Sequence, residues 1–343
     1  MELIFWGYWL KREGFFKGKI KKVRFLSSFE DIEPSSFSFL LLSYHMAEES
    51  LCLRLKPSEY PLGFLLELED IEPVPAVEGR TSLEPAGSSF TPEGYMQAVE
   101  RIKRYIEEGT IYQLNLTCRF DFHLDGSPKD LFFKYFLSQP VPYAFFLDLE
   151  DFFVMSGSME LFLKKEKKLL TSQPIKGTSK SKKELEESHK DKAENLMITD
   201  MVRNDLSRVC LPGSVKVKEL FKIEEYKTLF QMHSTVEGIT EASLKQILFH
   251  TFPPASVVGA PKRKAVELID LLEPHSRNYY CGCAGFILGE DFTLSVLIRT
   301  AIGRAKELSY YAGAGIVWDS EPQREWEEVL LKCRAFEVLT NSG

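Results

Sequence analysis

The stretch "ELSYYAGAGIVWDSEPQREWEEVLLKCRAF", residues 307–336, decides how this chain folds. Its first half reads as a strand that ends in Gly313-Ala314-Gly315, where bare backbone N–H groups can approach an anion. Its second half reads as a helix from about Pro322 to Leu339, with the proline in the first turn. Trp326, Val329, Leu330, Cys333 and Phe336 form one apolar stripe along it. Glu325, Glu328 and Lys332 gather on another side, at spacings of three and four. That face suits either a solvated ion pair or a carboxylate pair for a hard cation beside a lysine that meets an anionic ligand. Mg2+ keeps several waters, so one or two glutamates are enough for it.

Upstream, "YYCGCAGFILG" and "FTLSVLIRTAIGR" read as further strands. The second places Arg299 in apolar surroundings, where a buried guanidinium needs a carboxylate, from the protein or from a ligand. "GAPKRKAVELIDLLEP" is a helix with Ala265, Leu268, Ile269 and Leu272 on one face. "TPEGYMQAVERIKRYIEEG" is another, opened by Pro92 and closed near Gly109. Between these lie the strand-like runs "TIYQLNLTCRFDFHL", "PYAFFLDLEDFFVMSGS" and "LFLKKEKKLLTSQ", then a charged helical stretch over about 181–205. Runs of strands separated by runs of helices predict an α+β fold with mainly antiparallel sheet. Residues 1–75 read as a short β-rich part packed on the main region. Residues 76–91, rich in proline and turn residues, read as a linker, and 92–343 as the principal region.

The 343 residues can bury a large core. Apolar residues at 44% and charged residues at 27% describe an ordinary globular chain. Its net charge of -7, without a basic stripe interleaved with aromatics, argues against nucleic acid as the main partner. No apolar run approaches the roughly 20 residues of a membrane span. The N-terminus carries its charges after its apolar part, the reverse of a secretory signal, so a cytoplasmic location is expected. Six cysteines are scattered without scaffold density and are expected to be buried thiols, Cys281 and Cys283 on a strand included.

Four motifs together, "YMQAVERIKRYIEEGTIYQLNL", "AENLMITDMVRNDLSRVC", "FPPASVVGAPKRKAVELIDLLEP" and "GAGIVWDSEPQREWEEVLLKCRAF", closely resemble the chorismate-utilising enzymes. The resemblance covers about residues 91–343 and implies that family's fold, two packed, mainly antiparallel sheets flanked by helices with the active site between them. It implies chorismate as substrate and Mg2+ as cofactor, with Glu194 and Glu328 as its ligands and Glu325 close by. By the same resemblance, Tyr280, Arg299 and the amides of Gly313, Ala314 and Gly315 hold a substrate carboxylate. Gly177 and Thr178 contact substrate, Lys332 lies near the substrate acid, His233 is an active-site histidine and Ser256 faces the ring.

"TSQPIKGTSK", residues 171–180, distinguishes branches of that family. Proline fixes its own backbone and glycine permits close approach, so Lys176 is held on a constrained tether. Anthranilate-forming members carry alanine there, whereas "PIKGT" and "YQLNL" resemble the aminodeoxychorismate-forming members. In those, the lysine is proposed to attack ring carbon 2 and expel the 4-hydroxyl, after which ammonia enters at carbon 4. Hydroxide leaves poorly, so a general acid is needed. Glu160 in "SGSMELFL" occupies the place of a family glutamate, and burial among Met159, Leu161 and Phe162 favours its protonated form. Met159 replaces a proline usual there.

Gln113 stands where isochorismate- and salicylate-forming relatives place a lysine base. No stretch resembles a glutamine amidotransferase, so ammonia is expected from a separate glutaminase subunit. No lyase segment follows Gly343, so a further enzyme is expected to release 4-aminobenzoate. The expected activity is therefore amination of chorismate to 4-amino-4-deoxychorismate. The alternatives are anthranilate formation and a non-catalytic chorismate binder.

Overall fold

The computed structural model describes residues 1–77, 79–225 and 230–341. Its strands form two facing layers in which every strand pair is antiparallel. One layer runs Ser82–Ser88, Gln113–Asp125, Glu307–Ile316, Thr300–Arg304, Phe153–Ser158, Tyr143–Asp148, Glu2–Trp6. The other runs Phe37–Leu42, Cys283–Leu288, Asp291–Val296, Leu161–Glu166, Leu169–Gln173, Phe230–Ile239, Lys216–Glu225.

Two long strands, Phe15–Leu26 and Gly63–Val74, belong to both layers. The start of the first pairs with Glu2–Trp6, and the start of the second pairs with Phe37–Leu42. Register shifts between Lys19 and Lys22 interrupt their mutual pairing, and such irregularities bend and twist a ribbon. Hydrogen bonding thus continues from one layer into the other. The inner faces meet through aromatic rings: Phe5 lies 4.5 Å from Phe286, and Phe39 lies 5.1 Å from Phe145. Such contacts add to the burial of large rings. The predicted α+β class with two antiparallel layers holds.

Helices cover the outer faces. Pro92–Glu107 starts on Thr91, whose Oγ1 accepts the Gly94 N–H at 3.1 Å. It packs on the last helix, Pro322–Asn341, with Tyr95 and Trp326 rings 5.3 Å apart. Phe336 of that helix stacks on Tyr310 at 4.1 Å, which seats it on the glycine strand 307–316. His189–Ser207 lies on the other layer, where Asn195 Nδ2 donates to the Met232 carbonyl at 3.4 Å. No described helix is long and apolar enough to cross a membrane.

Several expectations need correction. The linker expected over 76–91 contains an edge strand, Ser82–Ser88, whose proline and glycine are tolerated because its outer side has no strand to pair. The N-terminal part is woven into both layers, since its apolar alternation supplies strands that complete their sheets. The charged helix over 181–205 is two helices, Lys182–Glu187 and His189–Ser207, and Ser188 caps the second by accepting the Asp191 N–H. Arg299 lies in the bend between Asp291–Val296 and Thr300–Arg304, at a φ of 50°, instead of inside a strand. Cys52 is exposed and Cys210 half-buried, each lying just past the C-terminus of a helix, while the other four cysteines are buried.

Candidate active site

The bracket around Lys176 turns out to be a β-bulge. Strand Ile175–Ser179 pairs with Phe230–Ile239 so that Ile175 faces His233 and Thr178 faces Gln231. Three steps on one strand match two on the other, which leaves one residue extra at Lys176-Gly177. Gly177 has a φ of +95°, and a Cβ there would sit 3.0 Å from Asp191 Cβ, so only glycine adopts this turn without strain. The lysine is therefore aimed by a strand, not by a loose loop.

It is aimed at Gly315. A Cβ on that glycine would lie 2.6 Å from Gln113 Nε2 and 3.6 Å from both Glu194 Oε2 and Lys176 Nζ. A bare Cα lets a strand, a bulge and a helix bring three polar groups to one point. The Gln113 Oε1 atom is buried there without a hydrogen-bond partner, an arrangement native interiors seldom leave unless a ligand completes it.

Carboxylates surround this point. Burial raises the pKa of Glu194, Lys176 and Lys190 oppose the rise, and Asp191 and Glu328 reinforce it. Burial likewise raises Glu325, against the Ser320 hydroxyl and Lys190, whose Nζ lies 3.7 Å away. Glu328 is half-exposed; burial works to raise it, but Lys332 at 2.7 Å holds it below the usual range. Lys332 also donates to the Gly313 carbonyl at 2.7 Å. Glu194 and Glu325 each carry repulsion from Glu328, which a hard cation would relieve. The chemistry of this donor set would fit a hard cation such as Mg2+. Among the described residues, no three ligating side chains already converge as a closed cage.

Glu160 is buried, with its N–H bonded to Ser158 Oγ at 3.1 Å and its carbonyl accepting from Val296 N at 3.1 Å. Burial pushes its carboxyl up to about 7, against the opposing pull of the Ser256 hydroxyl, the Lys176 charge and the Ile175 backbone. An acid poised there can donate a proton near neutrality. The structure thus brings Lys176, Glu160, Ser256, Glu194, Glu328 and Gly315 into one electrostatic neighbourhood.

Other expected residues have their contacts elsewhere. His233 lines an open pocket of ≈ 240 Å³ with Trp6, Tyr8, Tyr143, Met159, Ile175 and Glu224. Its Nδ1 lies 3.7 Å from Glu224 Oε2, and burial lowers its pKa while Glu224 opposes that. Met159 and Ile175 precede Glu160 and Lys176 directly, so this pocket adjoins the cluster. Arg299 donates through Nη1 to Gln139 Oε1. Tyr280 is buried and stacks on Tyr311 at 5.2 Å. Ala314 is buried, and Thr178 is exposed beside Gly177. Lys190, which neighbours three of the glutamates, was not singled out by sequence reasoning, because it is one lysine in a lysine-rich run.

Residues 43–337 match the family described as chorismate binding enzyme. The chain belongs to that family. Aminodeoxychorismate synthase component 1 of Bacillus subtilis (strain 168) is 35% identical over 343 residues, covering 90% of this chain and 72% of that protein. Anthranilate synthase component 1 of Aquifex aeolicus (strain VF5) is 35% identical over 262 residues, covering 73% of this chain and 53% of its own length. This chorismate-binding enzyme thus spans about half of the Aquifex relative. Among solved structures, anthranilate synthase component I from Streptococcus pneumoniae TIGR4 superposes with a TM-score of 0.77 at 23% identity, covering 88% of this chain and 80% of that one. A putative 2,3-dihydroxybenzoate-specific isochorismate synthase, DhbC from Bacillus anthracis, gives 0.78 at 19% identity, covering 99% and 96%. These likenesses establish the shared fold.

Proposed function

We propose that this chorismate-binding enzyme aminates chorismate at ring carbon 4, yielding 4-amino-4-deoxychorismate, with ammonia from a separate glutamine amidotransferase subunit. The observation that carries the reading is the convergence of Lys176 Nζ and Glu194 Oε2 on the bare Cα of Gly315, with the buried acid Glu160 beside the same lysine. An anthranilate-forming enzyme has no use for a nucleophile there. Similarity to aminodeoxychorismate synthases supports the choice, and similarity to anthranilate synthases at the same identity makes a product assay the decisive test.

In the proposed sequence the neutral Lys176 amine forms a bond to carbon 2. The ring double bonds shift, and the 4-hydroxyl leaves as water with the proton of Glu160. Ammonia then bonds to carbon 4, the double bonds shift back, and the carbon–nitrogen bond to Lys176 breaks, returning its electron pair to the amine. Gly313, Ala314 and Gly315 offer backbone to one substrate carboxylate. Arg299 joins them if its guanidinium leaves Gln139, and Tyr280, Thr178 and Gly177 border the ring. Glu194 and Glu328, with Glu325 nearby, would hold Mg2+, which when bound supplies positive charge to the substrate's other carboxylate. His233 and Ser256 complete the wall near Glu160.

The test is incubation of the chain with chorismate, Mg2+ and ammonium, with products resolved by mass spectrometry beside Lys176→Ala. Aminodeoxychorismate without pyruvate from the parent, and its loss in the variant, is the expected result. Anthranilate with pyruvate from both proteins overturns the reading. Unchanged chorismate would indicate a binding protein instead.

A further inference from the structure

Strand Gln113–Asp125 has an incomplete neighbour on the side away from the glycine strand. Gly259–Ala260 pairs with its first two residues, and Ser82–Ser88 pairs only from Phe120 onward. Between them the edge is closed by side chains and loop backbone. Asn115 N donates to the Val258 carbonyl at 2.7 Å, and Arg119 N donates to Ser89 Oγ at 2.9 Å. The Asn115 carbonyl accepts from Arg277 Nη2 at 2.7 Å, while Thr117 N and Oγ1 both donate to Glu273 Oε1 at 2.8 Å.

Glu273 and Arg277 are themselves a fork-on-fork pair, with Nε to Oε2 at 2.9 Å and Nη2 to Oε1 at 2.7 Å, and both side chains are 1% exposed. Arg277 Nη1 donates to the Val257 carbonyl at 2.8 Å, next to Ser256, and the Arg277 carbonyl accepts the Tyr280 N–H at 2.9 Å. His275 Nε2 lies 3.1 Å from Thr117 Oγ1, and Tyr44 covers the guanidinium at 5.0 Å. A buried ion pair is weak support for stability in itself, because desolvation consumes most of its attraction. This one grips positions with a particular address: Asn115 and Thr117 stand directly opposite Gly315 and Gly313.

We propose that the Glu273–Arg277 pair is a positioning device that stands in for a missing strand and sets the glycine segment, Ser256 and Tyr280 at one mutual spacing for substrate binding. The proposal rests on the reading above in taking Gly313–Gly315 as the substrate-carboxylate segment. Neither residue touches substrate; each acts through the strand it holds.

The test compares the parent chain with Glu273→Gln, Thr117→Val and Thr117→Ser. Glu273→Gln keeps the shape and removes the charge. Thr117→Val removes one hydroxyl at constant volume, and Thr117→Ser restores it, so a fold too weak to carry the first variant still leaves the comparison intact. Thr117→Val is expected to raise the KM for chorismate about tenfold while kcat changes far less, and Thr117→Ser is expected to return it towards the parent. Hydrogen–deuterium exchange over 307–316, which needs no substrate, is expected to quicken in Thr117→Val and recover in Thr117→Ser. Parent-like KM and parent-like exchange in Thr117→Val, whatever its melting temperature, overturn the proposal. A parent that converts chorismate to a different product defeats the amination reading alone, since the exchange and KM comparisons stand unchanged. Failure of the parent to bind chorismate, together with unaltered exchange in the variants, defeats both.

Discussion

Two clusters of charge meet the strand pair Gln113–Asp125 and Glu307–Ile316, one at Gly315 and one along the free edge at Asn115 and Thr117, and they are built in opposite ways. Around Glu273 and Arg277 the charges are paired: carboxylate, guanidinium, backbone and the Thr117 hydroxyl close on one another with both charged side chains almost wholly buried. The polar atoms left without a partner there, His275 Nδ1 and the Tyr44 hydroxyl, lie beside the pair and not in it. Around Lys176 the charges remain in conflict. Glu194 and Glu325 are pushed up by burial, Glu328 repels both, and Gln113 Oε1 is buried without a partner. A satisfied buried network holds a geometry; an unsatisfied one has binding free energy still to gain from a ligand. Polar burial alone therefore does not mark a catalytic site, whereas unrelieved repulsion between buried carboxylates beside a lysine does.

The contrast can be broken most directly at Lys176. Lys176→Ala is expected to abolish aminated product while leaving the melting temperature close to that of the parent, as read by mass spectrometry and calorimetry. A large loss of stability with retained product would reverse the assignment of the two clusters. At Glu160, Glu160→Gln is expected to slow turnover ~10²–10⁴-fold, the range of a lost general acid. The acid form of the parent should be lost as pH rises through about 7, so its rate should fall above that pH.

Stability should move in the same window. The folded carboxyl holds its proton more tightly than the ordinary 4.5, so the folded state is favoured below that value and loses this advantage as pH rises through about 7. The total is about 3 kcal/mol by proton linkage. Urea unfolding at pH 5 and pH 8 checks it, and Glu160→Gln should reduce the slope by that share.

The satisfied cluster should respond in stability first. Glu273→Ala leaves Arg277 buried and unpaired and is expected to cost about 3–5 kcal/mol, measured by urea denaturation. A change below about 1 kcal/mol would mean that the region relaxes and hydrates. Away from both clusters, Thr91→Ala removes the cap of helix Pro92–Glu107 and is expected to cost about 1 kcal/mol with unchanged kinetics. That variant sets the baseline for a purely structural loss.

The sequence showed some of this more clearly than the rest. Helices Pro92–Glu107 and Lys262–Leu272 were legible because their apolar residues repeat at helical spacing between a proline and a stop. Strand Ser82–Ser88 was not, since only Leu83 faces the core and its other residues look like a linker. Arg299 was placed in a strand because the apolar run around it continues, while its positive φ depends on how two layers meet. Glu273 and Arg277 carried a faint signal as an acid and a base four residues apart, but across a helix end that spacing usually means a surface pair.

By itself the sequence determined most strands of both layers, the principal helices that cover them, the family, and the set of side chains able to do chemistry, because periodicity and motif spacing are local properties. Only the tertiary structure decided which of those side chains meet. The bulge that turns Lys176 towards Gly315, the helix that brings Glu194 to the same point and the ion pair that replaces a strand join residues far apart in the chain. Their proximity follows from strand register and layer packing, and no local pattern encodes either.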